Sequence, residues 1–120
     1  MILLRGINLS DEHKRPDASG SFFPSWLSPA TFREISDWGL NSVRLLIVWE
    51  AVEPRRGEYD TDYLDQMERL IDWAEEAGLY VIIDMHQDVY ARRFGGDGAP
   101  EWAILDDGLP FSSSAEWYVN

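Results

Sequence analysis

The sequence contains no cysteine. Disulfides are thereby excluded, and with them cysteine nucleophiles and thiolate metal sites. Cations are scarce too: Lys14 is the only lysine, and 10 basic side chains face 22 acidic ones, for a net charge of −12. Such a surface repels polyanions, which excludes nucleic acid and anionic membrane as general partners. No apolar run approaches the roughly 20 residues of a membrane span. The N-terminus does not read as a signal peptide, because Arg5 interrupts residues 1–9 and no small-residue cleavage site follows. Internal repeats, linkers and low-complexity segments are also lacking.

What remains, 45% hydrophobic and 27% charged residues in 120, is the composition of one small globular domain. Residues 2–7 read as a first strand, and Gly6 inside it points to close approach of another backbone or a ligand. A long polar loop, residues 8–27, carries Pro16, Gly20 and Pro24 as breakers. Ser28-Pro29 opens a helix whose apolar stripe is Phe32, Ile35 and Trp38, with Gly39 as its stop. Residues 42–49 form a second strand, nearly all apolar except for Arg44, as expected of a strand covered on both faces. After a loop at 50–60, residues 61–77 show the clearest helical period, with Tyr63, Met67, Leu70, Ile71, Ala74 and Ala77 on one face. Residues 79–84 are the third strand. Beyond Trp102, residues 104–114 are turn-rich, and residues 115–120 are expected to open another helix.

The order β-α-β-α-β implies a parallel α/β sheet with right-handed crossovers. A doubly wound sheet calls for a short glycine-rich turn after its first strand. Here that connection runs about twenty residues without G-x-G-x-x-G, and a (β/α)8 TIM barrel accommodates long loops there, at its active-site rim. Barrels need about 250 residues, so the chain is expected to be the N-terminal portion of one, three strands of eight.

The stretch 79–102, LYVIIDMHQDVYARRFGGDGAPEW, carries the chemistry. Asp84, His86 and Asp88 alternate with Met85 and Gln87, so an extended backbone puts all three on one side. Three readings compete: carboxylates capping backbone groups, a divalent-metal site, and recognition of a hydroxyl-rich substrate. The last ranks first and metal second, because His13, the other histidine, sits between Glu12 and Lys14 in a loop. Arg44 shares the parity of Leu46 and Val48. If those face inward, it needs a partner there, such as Asp84; snorkelling to the sheet end is the alternative. A solvated surface residue is the simplest reading of Lys14. Trp49 and Trp102 either stack on a sugar ring or pack in the core. Trp38 and Trp73 read as packing residues, and Glu50, Glu53 and Glu101 have nothing in sequence to single them out.

R-G-I-N at residues 5–8, N-S-V-R at 41–44 and W-E-A-V-E-P-R-R-G-E-Y-D at 49–60 resemble the opening of family 5 glycoside hydrolases, the cellulase-like (β/α)8 retaining glycosidases. D-M-H-Q-D-V-Y at 84–90 with G-D-G-A-P-E-W at 96–102 is similar to the endoglycoceramidase branch, which acts on glycosylceramides and steryl glucosides. The resemblance implies that Arg44 positions the nucleophile. It implies that His86, Asp88, Asp84 and Lys14 hold the sugar at the cleavage point, with Asn8 at the end of the first strand. It further implies a glycan or glycolipid substrate, the latter at a membrane surface, and neither metal nor cofactor.

The family's acid/base and nucleophile glutamates, at the ends of strands four and seven, are not in this chain. The expected activity is therefore that of a longer protein, secreted or at the cell surface. These 120 residues alone are expected to be inactive and poorly soluble or molten, since open edges and a bare apolar face invite association. A non-catalytic carbohydrate- or lipid-binding barrel and a metal-dependent barrel hydrolase using Asp84, His86 and Asp88 stand as rivals.

Overall fold

A computed structural model describes residues 1–9 and 14–111 of the chain. His13, residues 112–114 of the turn-rich segment and the helix expected at 115–120 lie outside the described residues. The elements run β1 (Gly6–Leu9), α1 (Pro29–Asp37), β2 (Ser42–Val48), α2 (Trp49–Val52), α3 (Thr61–Glu76) and β3 (Tyr80–His86). The three strands form one parallel sheet in the order β1-β2-β3. This is the β-α-β-α-β portion of a (β/α)8 barrel, as the alternation of elements predicts.

The first strand differs from expectation: it is Gly6–Leu9, not residues 2–7. Pairing starts at Gly6 opposite Ser42, where a Cβ on Gly6 would stand 2.4 Å from Ser42 Oγ and 2.5 Å from its carbonyl oxygen. The close approach expected of this glycine is thus to the neighbouring strand. Ile2, Leu3 and Leu4 are exposed and lie outside the sheet. Asn41 ties down the segment before β1: its Oδ1 accepts from the Arg5 amide at 2.7 Å, and its Nδ2 donates to the Leu3 carbonyl at 2.9 Å.

β2 is the buried centre, as its apolar run requires. Its outward-facing Val43, Leu45 and Ile47 pack with Phe32 and Ile35 of α1 and Met67, Leu70 and Ala74 of α3 into one core. Ser28 caps α1 in a reciprocal capping box with Thr31, and Asp60 Oδ1 accepts from the Tyr63 amide at 2.9 Å to cap α3. Trp38, expected on the apolar stripe of α1, is its exposed C-cap instead. Trp73 does pack, edge-on against Phe32.

Two further boundaries move. The segment from Trp49 to Val52 closes into the short helix α2 rather than ending a strand or starting a loop. β3 runs two residues past Asp84 to His86, so Asp84 and His86 lie on a regular strand. Ile82, Ile83 and Met85 of β3 are exposed, and no strand pairs with the far edge of β3 among the described residues. Among the described residues, no helix is long and apolar enough to cross a membrane.

Candidate active site

Parallel register aligns Asn8, Arg44 and Ile82 across the sheet, followed on the same face by Leu46 with Asp84 and Val48 with His86. Arg44, Asp84 and His86 therefore point to the inner face, opposite the helix-packed core. The Arg44 guanidinium reaches along the strands and donates to Asp84 Oδ2 at 2.6 Å. It also lies 3.4 Å from His86 Nδ1, and that nitrogen is 3.1 Å from Asp84 Oδ2. Arg44 is thus paired at the inner face rather than snorkelling away.

The second ring nitrogen of His86 faces the loop. His86 Nε2 is 3.3 Å from Asp88 Oδ2, which in turn accepts from Lys14 Nζ at 2.8 Å. Lys14 is therefore paired within the cluster and is not a lone solvated surface lysine. Its ammonium, with His86 behind it, holds the Asp88 carboxyl below the ordinary value of 3.8 against the opposing effect of burial. The result is a continuous row of Arg44, Asp84, His86, Asp88 and Lys14, drawn from β2, β3 and two loops. Among the described residues, neither carboxylate caps the strand end through its side chain.

Sequence reasoning missed Asp97. It is 3% exposed, and its Oδ1 lies 3.9 Å from His86 Nε2 with no hydrogen-bond partner among the described residues. Burial first, and the Asp88 charge second, push its carboxyl above the ordinary value. Asp97 faces Asp88 through an isolated antiparallel bridge, with Asp88 N–H to Asp97 O at 3.1 Å and Asp97 N–H to Asp88 O at 2.9 Å. The signal for it was the G-D-G at 96–98. A Cβ on Gly96 would stand 1.6 Å from the Asp88 carbonyl oxygen, and one on Gly98 2.5 Å from Gln87 Cβ. An acid flanked by glycines, where backbone must touch backbone, is held in place by the fold. Val89 and Tyr90, at φ 52° and 72°, turn the chain tightly enough to make this contact.

His86, Asp88 and Asp97 bring one donor atom each within 4.8 Å of one another. This is not the set the metal reading used: Asp84 faces the other ring nitrogen together with Arg44. A cation also stands at Asp88 already, in the form of Lys14. The cluster fits hydrogen bonding to hydroxyls better than ligation of an ion.

Among the described residues, the remaining candidates make no side-chain hydrogen bond to this row, although Asn8 lines one cavity with Arg44. Asn8 is exposed at the end of β1, level with Arg44. Trp49 and Trp102 pack edge to face on each other, with ring centroids 5.4 Å apart. Their indole N–H groups both donate to Glu53, Trp49 to Oε2 at 2.9 Å and Trp102 to the carbonyl at 3.0 Å. The Gly57 amide and then the Trp49 indole hold the Glu53 carboxyl below its ordinary value, which sequence gave no reason to expect. Glu50 is bonded to Arg92, and Glu101 pairs with Arg93 at 3.3 Å.

The family model of cellulase, glycosyl hydrolase family 5, matches residues 5–117. The chain is 37% identical over 127 residues to a glucosylceramidase of Cryptococcus neoformans var. grubii, covering 94% of this chain and 17% of that protein. It is 34% identical to endoglycoceramidase I of Rhodococcus hoagii, covering 99% of this chain and 22% of that one. Endo-glycoceramidase II from Rhodococcus sp. superposes with a TM-score of 0.80 at 41% identity, over 98% of this chain and 27% of its own. That enzyme has also been solved as a lactosyl-enzyme intermediate and with ganglioside GM3. The chain thus spans about a fifth of the length of the curated relatives it matches. A parallel sheet carrying its polar row at the C-terminal strand ends, and a family model matched from β1 to beyond β3, lead to one conclusion: the chain belongs to glycosyl hydrolase family 5, the cellulase family.

Proposed function

We propose that the chain is the first three βα units of the catalytic domain of a retaining β-glycosidase that hydrolyses the O-glycosyl bond of glycolipids. The observation that carries the reading is the row Arg44–Asp84–His86–Asp88–Lys14 at the strand ends, linked by contacts of 2.6 to 3.4 Å. Carboxylates accept from sugar hydroxyls and Lys14 donates to their oxygens, so the row is one wall of a sugar subsite. Arg44, fixed by Asp84, orients the nucleophile. A retaining glycosidase needs two carboxyl groups about 5 Å apart. In this reading both are glutamates from strands outside this chain: one protonates the leaving oxygen, and the other forms the glycosyl-enzyme that water then hydrolyses. The glucosylceramidase and endoglycoceramidase relatives support the glycolipid class, a substrate presented at a membrane surface.

The test is an assay of the complete protein on an aryl β-glucoside and on glucosylceramide and lactosylceramide in detergent, with the anomer first released read by proton NMR. Release of the β-anomer from a ceramide glycoside is expected. Binding without hydrolysis would favour a non-catalytic barrel, and activity lost to chelator with stoichiometric zinc or manganese would favour the metal reading.

A further inference from the structure

The His86 ring is asymmetrically supplied. Nδ1 meets a donor, Arg44, and an acceptor, Asp84, at 3.4 and 3.1 Å. Among the described residues Nε2 meets only acceptors, Asp88 Oδ2 at 3.3 Å and Asp97 Oδ1 at 3.9 Å, so it is a donor. Of these two acceptors, Asp88 Oδ2 is doubly engaged, by Lys14 and His86. Asp97 Oδ1 is buried and bonds to nothing among the described residues. A buried acceptor left without a partner is costly, and His86 Nε2, at 3.9 Å, is less than an ångström out of bonding range. The bridge to Asp88 and the contacts of Gly96 and Gly98 with residues 87–90 hold its backbone beside the ring.

We propose that Asp97 is a positioning residue of the sugar subsite: it is the second acceptor for the His86 Nε2–H and takes that hydrogen bond when a sugar hydroxyl engages Asp88. The inference rests on the sugar-site reading and adds to it a part that the family resemblance did not assign. In the free site Asp88 shares its Oδ2 between Lys14 and His86. A hydroxyl that takes Asp88 Oδ2 competes with His86 for that oxygen. If His86 had no other acceptor, the binding of sugar would leave an N–H unpaired and lose much of what the new bond gains. With Asp97 behind it, the ring exchanges one carboxylate for another by a movement of under about 1 Å, and no donor is stranded. The bond also supplies a partner to Asp97, whose charge burial disfavours.

The experiment is a double-mutant cycle in the complete protein, with Asp97→Asn, His86→Ala and both together. It reads kcat and KM for an aryl β-glucoside and Kd for a glucose-configured iminosugar. Asparagine keeps the shape of the side chain and offers a weaker, uncharged acceptor. Asp97→Asn is expected to raise KM and Kd roughly 3- to 10-fold with kcat nearly unchanged, the mark of lost binding common to ground and transition states. In the His86→Ala background it is expected to change neither, because its partner is gone. An equal loss in both backgrounds means a structural role and overturns the proposal, as does a variant indistinguishable from wild type. A wild-type protein that neither hydrolyses nor binds β-glucosides overturns the sugar-site reading and this inference together. Should Asp97→Asn fail to fold, the crystal structure of the wild-type protein with the iminosugar decides. His86 Nε2 to Asp97 Oδ1 shortening from 3.9 Å to about 3 Å supports the switch, and an unchanged separation overturns it.

Discussion

Arg44 stands opposite Ile82 in the strand register, yet its guanidinium bonds Asp84, 2.6 Å away and one inward-facing position further along β3. The diagonal contact ties the centre of the sheet to the strand that ends in the polar row. It also accounts for a charged side chain in an otherwise apolar strand. Asp84 neutralises Arg44 from one side, and the His86 ring lies at 3.4 Å.

Replacing Arg44 by lysine shortens the reach and removes the planar fork. Both partners are about one-third exposed, 35% and 28%, so water screens the pair. The stability cost is therefore about 1 kcal/mol. The effect on the reaction is larger in the proposed enzyme, because a nucleophile out of place by an ångström loses about 100-fold in rate. Kinetics and urea unfolding of Arg44→Lys in the complete protein check both. A kcat within a factor of two of wild type would show that Arg44 only holds the strands together.

Lys14→Met tests the other end of the row through pH. Lys14, the first cause, depresses the folded-state value of Asp88 below 3.8. A depressed carboxyl contributes stability above its unfolded value, and that stability disappears as pH falls through the folded one. Wild type should therefore exceed Lys14→Met by roughly 0.5 kcal/mol at neutral pH, as for a partly exposed pair. The gap should close below the ordinary value near 3.8. Urea midpoints of the two proteins between pH 2 and about 7 measure this. A gap that persists at the acid end would assign the effect to lost packing of the lysine stem.

Helix α3, strand β2 and the parallel order were legible because each rests on periodicity. Tyr63, Met67, Leu70 and Ala74 recur on one face, and all four are buried. The row from Arg44 to Lys14 was legible only in part. Parity gave Arg44, Asp84 and His86, since side chains repeat every second residue on a strand. Lys14 and Asp88 are 74 residues apart, and no local pattern reports a contact that a loop makes in space. Asp97 was hidden for the same reason, and its flanking glycines were its trace. Residues 2–4 misled because apolar β-branched and aliphatic residues favour strands, while pairing with β2 starts only at Gly6. The short helix α2 gives no helical period in four residues.

Tyr63 carries a hydroxyl that the core does not use. The residue is 5% exposed and packs edge-on to Phe22, and its oxygen makes no hydrogen bond of good geometry among the described residues, although the Val48 backbone lies beside it. Burial pushes the phenol up to about 12. Tyr63→Phe removes the buried polar atom and keeps the ring, so stability should be unchanged or rise by up to about 1 kcal/mol. Urea unfolding of the complete protein measures it, and a loss of more than about 1 kcal/mol would mean that the hydroxyl has a partner in the whole barrel.

Gly96→Ala probes what holds Asp88 in place. Its Cβ would lie 1.6 Å from the Asp88 carbonyl oxygen and 2.5 Å from the carbonyl carbon, so backbone meets backbone and no rotamer relieves it. The two bridge hydrogen bonds at 2.9 and 3.1 Å must open to admit a methyl group. Gly57→Ala is the control: its φ of 80° strains alanine, but nothing lies within 4 Å of the added carbon. The control should cost about 1–2 kcal/mol from the left-handed backbone alone, without touching the site. Gly96→Ala should cost about 3 kcal/mol through overpacking. It should also raise KM for a β-glucoside, because Asp88 leaves the reach of Lys14 and His86 as the bridge parts. Equal stability losses with unchanged KM in both variants would show that the loop closes without the bridge, and that Lys14 alone is enough to hold Asp88 beside His86.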